Sequence, residues 1–193
     1  MTTRNAEATR ERILEAAMAE FSAYGIAGAR VDRIAKNAGC NKNMIYIYFE
    51  NKETLFTTIL QKHLTRVYEE IAFTPDDLPG YAVRVFDFAI SHPDLMRLMA
   101  WFNLEQKADS PAERGQVHDQ KVKSLTEAQN TGRVGSVFPP EFILTTIMTI
   151  ATAWTAANPF GPSLDPKSTE NVERIRDAIF RAVRVISLEG LQS

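Results

Sequence analysis

Arg30-Val31-Asp32-Arg33-Ile34-Ala35-Lys36-Asn37-Ala38-Gly39-Cys40-Asn41-Lys42-Asn43-Met44-Ile45-Tyr46-Ile47-Tyr48-Phe49 is the stretch on which the reading of this chain turns. Val31, Ile34, Ala35 and Ala38 recur at helical spacing and predict a short helix over about 31–38. Gly39 stops it, because glycine takes the left-handed conformation that closes helices. Asn41 then caps a second helix, its side-chain oxygen accepting from the free N–H groups of the first turn. Ile45 and Phe49, four residues apart, share the inward face of that helix. Two short helices joined by a turn of this length form a helix-turn-helix, whose second member enters the major groove of DNA. Its outward face carries Lys42, Asn43, Met44 and Tyr46. Lysine donates to guanine acceptors, asparagine pairs bidentately with adenine, and methionine or an aromatic ring touches a thymine methyl. Tyr48 and Lys52 lie further along and suit phosphates. Lys52 also opens the next helix, where unpaired N–H groups favour an anion. A helix pair with a glycine turn is common in helical proteins generally, so the motif alone leaves DNA binding open.

Working outward, the periodicity stays helical and no run alternates as a strand would. A first helix over about 5–23 carries the stripe Ile13, Leu14, Ala17, Met18 and Phe21, with Gly25 as its stop. Asn51 caps a long helix to about Phe73 with Leu55, Phe56, Ile59, Leu60, Leu64, Val67 and Ile71 on one side. The cluster Thr74-Pro75-Asp76-Asp77-Leu78-Pro79-Gly80 breaks the pattern. Further helices are predicted over about 78–91, 93–105, 111–130, 139–157 and 167–189. The third of these is opened by the capping box Ser110-Pro111-Ala112-Glu113, and Gly190 closes the last. The expected fold is therefore all-α with about nine helices. Residues 1–50 form a three-helix DNA-binding domain, 51–73 connect, and 74–193 form a second, helical domain.

Composition narrows the class. The 193 residues are 45% hydrophobic, as in a globular protein. Cys40 is the single cysteine, so no intrachain disulfide can form, and a cytoplasmic location is expected. The N-terminus has no apolar signal segment, and the apolar stretch 142–157 is interrupted by five threonines, so no membrane partner is expected. The net charge of −2 conceals an asymmetry. Residues 1–66 hold 10 Lys and Arg against 7 Asp and Glu, whereas 67–193 hold 12 against 17. That pattern fits a nucleic-acid-facing part joined to another part. Catalysis is not expected. His63, His92 and His118 would each need a glutamate three residues earlier to form the ligand pairs of di-iron bundles, and Leu60, Ala89 and Gly115 stand there. No zinc, phosphate-loop or dinucleotide signature occurs, so no metal or cofactor is predicted.

Residues 9–60 resemble the DNA-binding domain of the TetR family of repressors. The likeness rests on Thr9 to Ala17, Phe21 to Gly25, Val31 to Gly39, and above all Ile45-Tyr46-Ile47-Tyr48-Phe49-Glu50-Asn51-Lys52-Glu53-Thr54-Leu55. The segment His92 to Trp101 also resembles C-terminal domains of some members. There are departures. The family commonly has threonine or serine where Ala29 and Arg30 stand. Arg30 can replace the phosphate contact by reach and charge, but the cap of the following helix is then unaccounted for. Ile47 occupies a position that is often histidine. Asn41-Lys42-Asn43-Met44 keeps a cap and a lysine but changes the base-reading side chains, so no operator sequence carries over.

The resemblance implies a homodimer bound to a palindromic double-stranded operator and released by a small-molecule effector. It also implies that the last two long helices pair with their copies. The stripe Ile175, Ile179, Val183 and Ile186 suits such a seam, and equally suits an intrachain core face. In the C-terminal part Phe86, Met99, Trp101, Phe102 and Trp154 line either a cavity for an apolar or aromatic effector or an ordinary core. Asn103, His118 and Thr152 join them as polar residues set in apolar stretches, where a buried polar group needs a partner. The alternative is a DNA-binding protein that needs no ligand and whose C-terminal part is structural only.

Overall fold

A computed structural model describes residues 3–106, 108, 112–156, 158 and 160–189. Among the described residues ten α-helices follow one another: α1 Thr3–Gly28, α2 Val31–Ala38, α3 Lys42–Phe49, α4 Lys52–Glu70, α5 Leu78–Ser91, α6 Pro93–Glu105, α7 Ala112–Asn130, α8 Pro140–Thr152, α9 Gly161–Leu164 and α10 Val172–Leu188. Two single 3-10 turns, Pro75–Asp77 and Ser168–Glu170, complete the regular structure, with no strand among the described residues. The chain separates into two compact units. The first comprises 1–66 and 94–111, the second 67–93 and 112–193.

In the first unit Ile13, Leu14, Ala17 and Phe21 of α1 are buried with Ile34, Ala35 and Ala38 of α2 and Ile45 and Phe49 of α3. Leu55, Phe56, Ile59 and Leu60 of α4 complete this core, and the Phe21 and Phe56 rings meet edge to face with centroids 5.2 Å apart. Each fully buried Ile, Leu or Phe among them contributes about 1.5–3 kcal/mol relative to exposure. Helix α6 belongs to this unit. The Trp101 indole and the Arg97 guanidinium both donate to the Ser22 carbonyl, at 3.2 and 3.1 Å. Glu105 accepts from the Ala27 N–H at 2.9 Å, and Phe102 stacks on Phe56. Its docking point is Gly25, where α1 kinks (φ 66°, ψ −177°). A Cβ there would lie 2.9 Å from the Trp101 ring and 2.2 Å from a Glu105 oxygen. The predicted helix stop at Gly25 is thus a kink, after which helical structure resumes to Gly28.

The second unit is organised on α5, which packs against both α8 and α10. Leu78, Tyr81, Ala82, Val85 and Phe86 of α5 share a core with Ile143, Ile147 and Ala151 of α8 and Ile175, Ile179 and Val183 of α10. From α7 come Leu125 and Ala128. Two predicted boundaries shift: the last helix begins at Val172 and not near residue 167, and the helix before the Pro/Gly/Ser loop ends early. Helix α8 stops at Thr152 instead of running on, because both the Thr155 N–H and its hydroxyl turn back to the Thr152 carbonyl that a continuing helix would use. The Pro/Gly/Ser loop that follows contains the short helix α9. The predicted capping box at Ser110 and Pro111, the helix end at residue 157 and the stop at Gly190 lie outside the described residues.

Candidate nucleic-acid interface

The turn between α2 and α3 is set by local chemistry. Gly39 closes α2 in the left-handed region at φ 63°, its N–H bonded to the Lys36 carbonyl. Asn41 caps α3 by accepting from the Asn43 N–H at 3.0 Å, and Asn51 caps α4 by accepting from Thr54 at 2.7 Å. The unexplained start of α2 is resolved by Glu20. Its carboxylate, 5% exposed, accepts from the Arg30 N–H at 2.8 Å and from the Arg33 guanidinium at 2.8 and 3.1 Å. Burial pushes this carboxyl up. The bond from the Arg33 side chain, that from the Arg30 backbone and the two positive charges together outweigh it and hold the carboxyl below its ordinary value. A carboxylate from α1 thus replaces the missing side-chain cap, and its charge suits the positive end of α2.

With Ile45 and Phe49 anchored at 1% and 2% exposure, the opposite side of α3 faces out. Lys42, Asn43 and Tyr46 are all exposed there, Met44 is half-buried, and Arg30 is exposed at the start of α2. Lys42 pairs with Asp32 at 3.0 Å, and that hydrogen bond and charge raise its affinity for the proton against the opposing effect of Arg30. Tyr46 also lies within electrostatic reach of Lys42, so Arg30, Lys42 and Tyr46 form one cluster. Ile47 belongs to this face too. It is 73% exposed, and the sequence reading passed over it as a base-facing residue. The signal was present, since a residue two positions from buried Ile45 and two from buried Phe49 must point outward.

Tyr48 and Lys52 sit differently from the exposed group. Tyr48 is half-buried and donates to the Ala6 carbonyl at 3.2 Å, tying α3 to the first turns of α1. Lys52 is half-buried and donates to the Ala29 carbonyl at 3.2 Å, which satisfies an acceptor at the end of α1. An ammonium has three donors, so Lys52 keeps two for a phosphate. The Tyr48 hydroxyl has one, already given to Ala6.

The remaining predicted residues scatter. Met99, Trp101, Phe102 and Asn103 lie on α6 in the first unit, whereas Phe86, His118, Thr152 and Trp154 lie in the second. Trp101 and Phe102 hold α6 to α1 and α4, as described. Asn103 is exposed, His118 is exposed overall with only its ring partly withdrawn from water, and the Thr152 hydroxyl is bonded within its own helix to Met148 at 2.8 Å, so full burial holds for none of the three. Trp154 packs edge to face on Phe86, and its buried Nε1 has no hydrogen-bond partner. The stripe Ile175, Ile179 and Val183, with Ile186 partly buried beside it, serves the intrachain core against α5. That corrects the seam reading for these residues: α10 turns them inward. Its exposed apolar residues are Phe180, Val185 and Leu188, while α8 exposes Phe142 and Met148. Among the described residues no cluster of three or more His, Cys, Asp and Glu could hold a metal ion. No described helix is long and apolar enough to cross a membrane.

Comparison with known proteins agrees with this geometry. Residues 13–59 match the family described as bacterial regulatory proteins, tetR family, and residues 77–184 match the tetracyclin repressor-like C-terminal domain. The chain is similar to the HTH-type transcriptional repressor SCO4008 of Streptomyces coelicolor, with 36% identity over 190 residues covering 96% of this chain and 98% of that one. It is also similar to the HTH-type transcriptional repressor NicS of Pseudomonas putida, with 35% identity over 108 residues, 52% of this chain and 51% of the other. Among solved structures, the putative transcriptional regulator SCO4942 from Streptomyces coelicolor superposes with a TM-score of 0.82 at 35% identity, covering 93% of this chain and 98% of that one. With the helix-turn-helix and the C-terminal domain both matched, this chain belongs to the TetR family of DNA-binding transcriptional regulators.

Proposed function

We propose that this chain is a cytoplasmic, homodimeric transcriptional repressor that holds a palindromic operator through α3 and releases it when a small molecule binds the second unit. The observation that carries the reading is the division of α3. Ile45 and Phe49 fix it to the core, while Lys42, Asn43, Tyr46 and Ile47 stand in solvent beside Arg30. Lys42, Asn43 and Tyr46 meet base edges, Ile47 suits a thymine methyl, and Arg30 and Lys52 meet phosphates. Two such helices about 34–36 Å apart in a two-fold dimer match successive major grooves. The outward residues Phe180, Val185 and Leu188 of α10, with Phe142 of α8, form the face toward the second copy. The orphaned Trp154 donor supports a ligand site in the second unit, since buried donors ordinarily have acceptors. The ligand acts by binding the DNA-free state more tightly, and by no more than that difference in affinity. The test is fluorescence anisotropy of purified protein on the DNA flanking its own gene, at several salt concentrations. Saturable binding that unlabelled random DNA cannot displace is expected. Equal affinity for every fragment overturns the reading.

A further inference from the structure

Lys121 of α7 stands in an aromatic box. Its Nζ lies 5.5, 5.7 and 5.2 Å from the ring centroids of Tyr68, Phe73 and Tyr81, and it donates to the Tyr81 hydroxyl at 2.8 Å. Tyr81 is 1% exposed, meets Phe73 edge to face at 5.0 Å, and turns its hydroxyl toward the Met148 sulfur at 3.9 Å. Rings attract a cation, but they do not neutralise it. The acids of the neighbouring turn are committed elsewhere, Asp77 to Arg84 at 3.0 Å and Asp76 to Arg133 at 2.6 Å. On α7 the nearby groups are basic: His118, three residues before Lys121, and Arg114, seven before, line the same side. Burial, Arg114 and Lys121 push the His118 imidazole down against the single opposing acid, Asp119. From α4 and α5 come Tyr68, Tyr81 and Arg84, and from α8 the neutral Met148. Burial alone brings the Lys121 ammonium down to about 8. Among the described residues no carboxylate stands beside this half-buried cation and two of its donors are unused, which leaves it electrostatically incomplete.

We infer that Lys121 anchors the effector, and that the effector is an organic acid whose carboxylate pairs with the Nζ while its apolar body lies against the Tyr68, Phe73 and Tyr81 rings. This rests on the effector-release reading and names the ligand class for it. A carboxylate supplies the missing counter-charge and accepts the spare ammonium donors, and the Arg114 charge reinforces its attraction along α7.

The probes are 1-naphthoate and decanoate, their uncharged amides, and the benzyltrimethylammonium cation, titrated calorimetrically into the full-length protein. Both carboxylates should bind at least tenfold tighter than their amides at pH 7, and the preference should fade as pH rises through about 8. Lys121→Met should abolish the preference. Lys121→Arg should keep it and remove its decline with pH, since arginine stays charged. Equal binding of acid and amide, absence of carboxylate binding, or preference for the ammonium probe overturns the inference. So does an unchanged preference in Lys121→Met. Should the carboxylates bind through Lys121 yet leave operator affinity unchanged, the anion site stands and release by effector falls.

Discussion

Glu20 in the first unit and Lys121 in the second are both withdrawn from water, and their surroundings differ in kind. Glu20 receives a backbone N–H and a two-pronged guanidinium, so its charge is met by groups of its own chain. Lys121 receives three rings and one phenol oxygen, and no opposite charge among the described residues. The first arrangement is complete and fixes α2 on α1 beneath the recognition helix. The second is complete only with something from outside. In this chain a satisfied buried charge marks scaffold, and an unsatisfied one marks a place for a ligand.

The sharpest break of the contrast between rigid scaffold and open surface lies on α10. Ile179→Asp places a carboxylate in the α5–α10 core and should cost about 4–5 kcal/mol, unfolding the second unit. Val185→Asp, on a residue 66% exposed, should leave the monomer folded and shift light scattering from dimer to monomer. If the two variants exchange these outcomes, the assignment of inward and outward faces is wrong. Next in size is Gly25→Ala. Its backbone conformation is nearly confined to glycine, and the added carbon meets Trp101 and Glu105, so about 3 kcal/mol should be lost in urea denaturation.

Glu20→Gln should cost about 2 kcal/mol, the size of a charge-assisted bond lost in partly screened surroundings. Its pH signature has a definite sign. The folded carboxyl lies below its ordinary 4.5, so its contribution is full above that value and is lost as pH falls through the lowered one. The variant should therefore flatten the acid limb of a stability–pH curve. Lys121 has the opposite sense. Lowered from 10.5 to about 8, it weakens the fold while charged, and stability should rise between pH 8 and 10.5. Lys121→Met should remove that rise. Effects on the DNA face are read in binding and leave stability unchanged. Lys42→Ala should cost about 1–3 kcal/mol on operator and little on random DNA. Arg30→Ala should weaken both alike and reduce the salt slope by about 1. Loss of discrimination in the second, or uniform weakening in the first, reverses their roles.

The helix-turn-helix was legible because its signals are local. Gly39, Asn41 and Asn51 act within four residues of themselves, and the spacing of Ile45 and Phe49 assigns the faces of α3. What escaped was long-range. Nothing near Glu20 in sequence announces that it caps a helix ten residues on. Trp101 and Phe102 read as either cavity lining or ordinary core because aromatic side chains serve a cavity and a packed helix equally, and only the docking of α6 on Gly25 separates the two. The stripe on α10 gives a face but not its partner, and both readings remained until α5 was seen to occupy it. Lys121 lies in a polar stretch of α7 that reads as solvated, and its rings come from residues 40 to 53 positions away.

Cys40 occupies the turn between α2 and α3, half-buried, and it is the chain's one thiol. Burial pushes it up against the pull of Arg12, so it reacts slowly at neutral pH and faster in mild alkali. A thiol-directed fluorophore therefore attaches once per chain, beside the element that meets DNA. In a two-fold assembly the pair of labels becomes a ruler laid across the two reading heads. Energy transfer between them follows their spacing as operator and effector come and go, with no residue exchanged to install it.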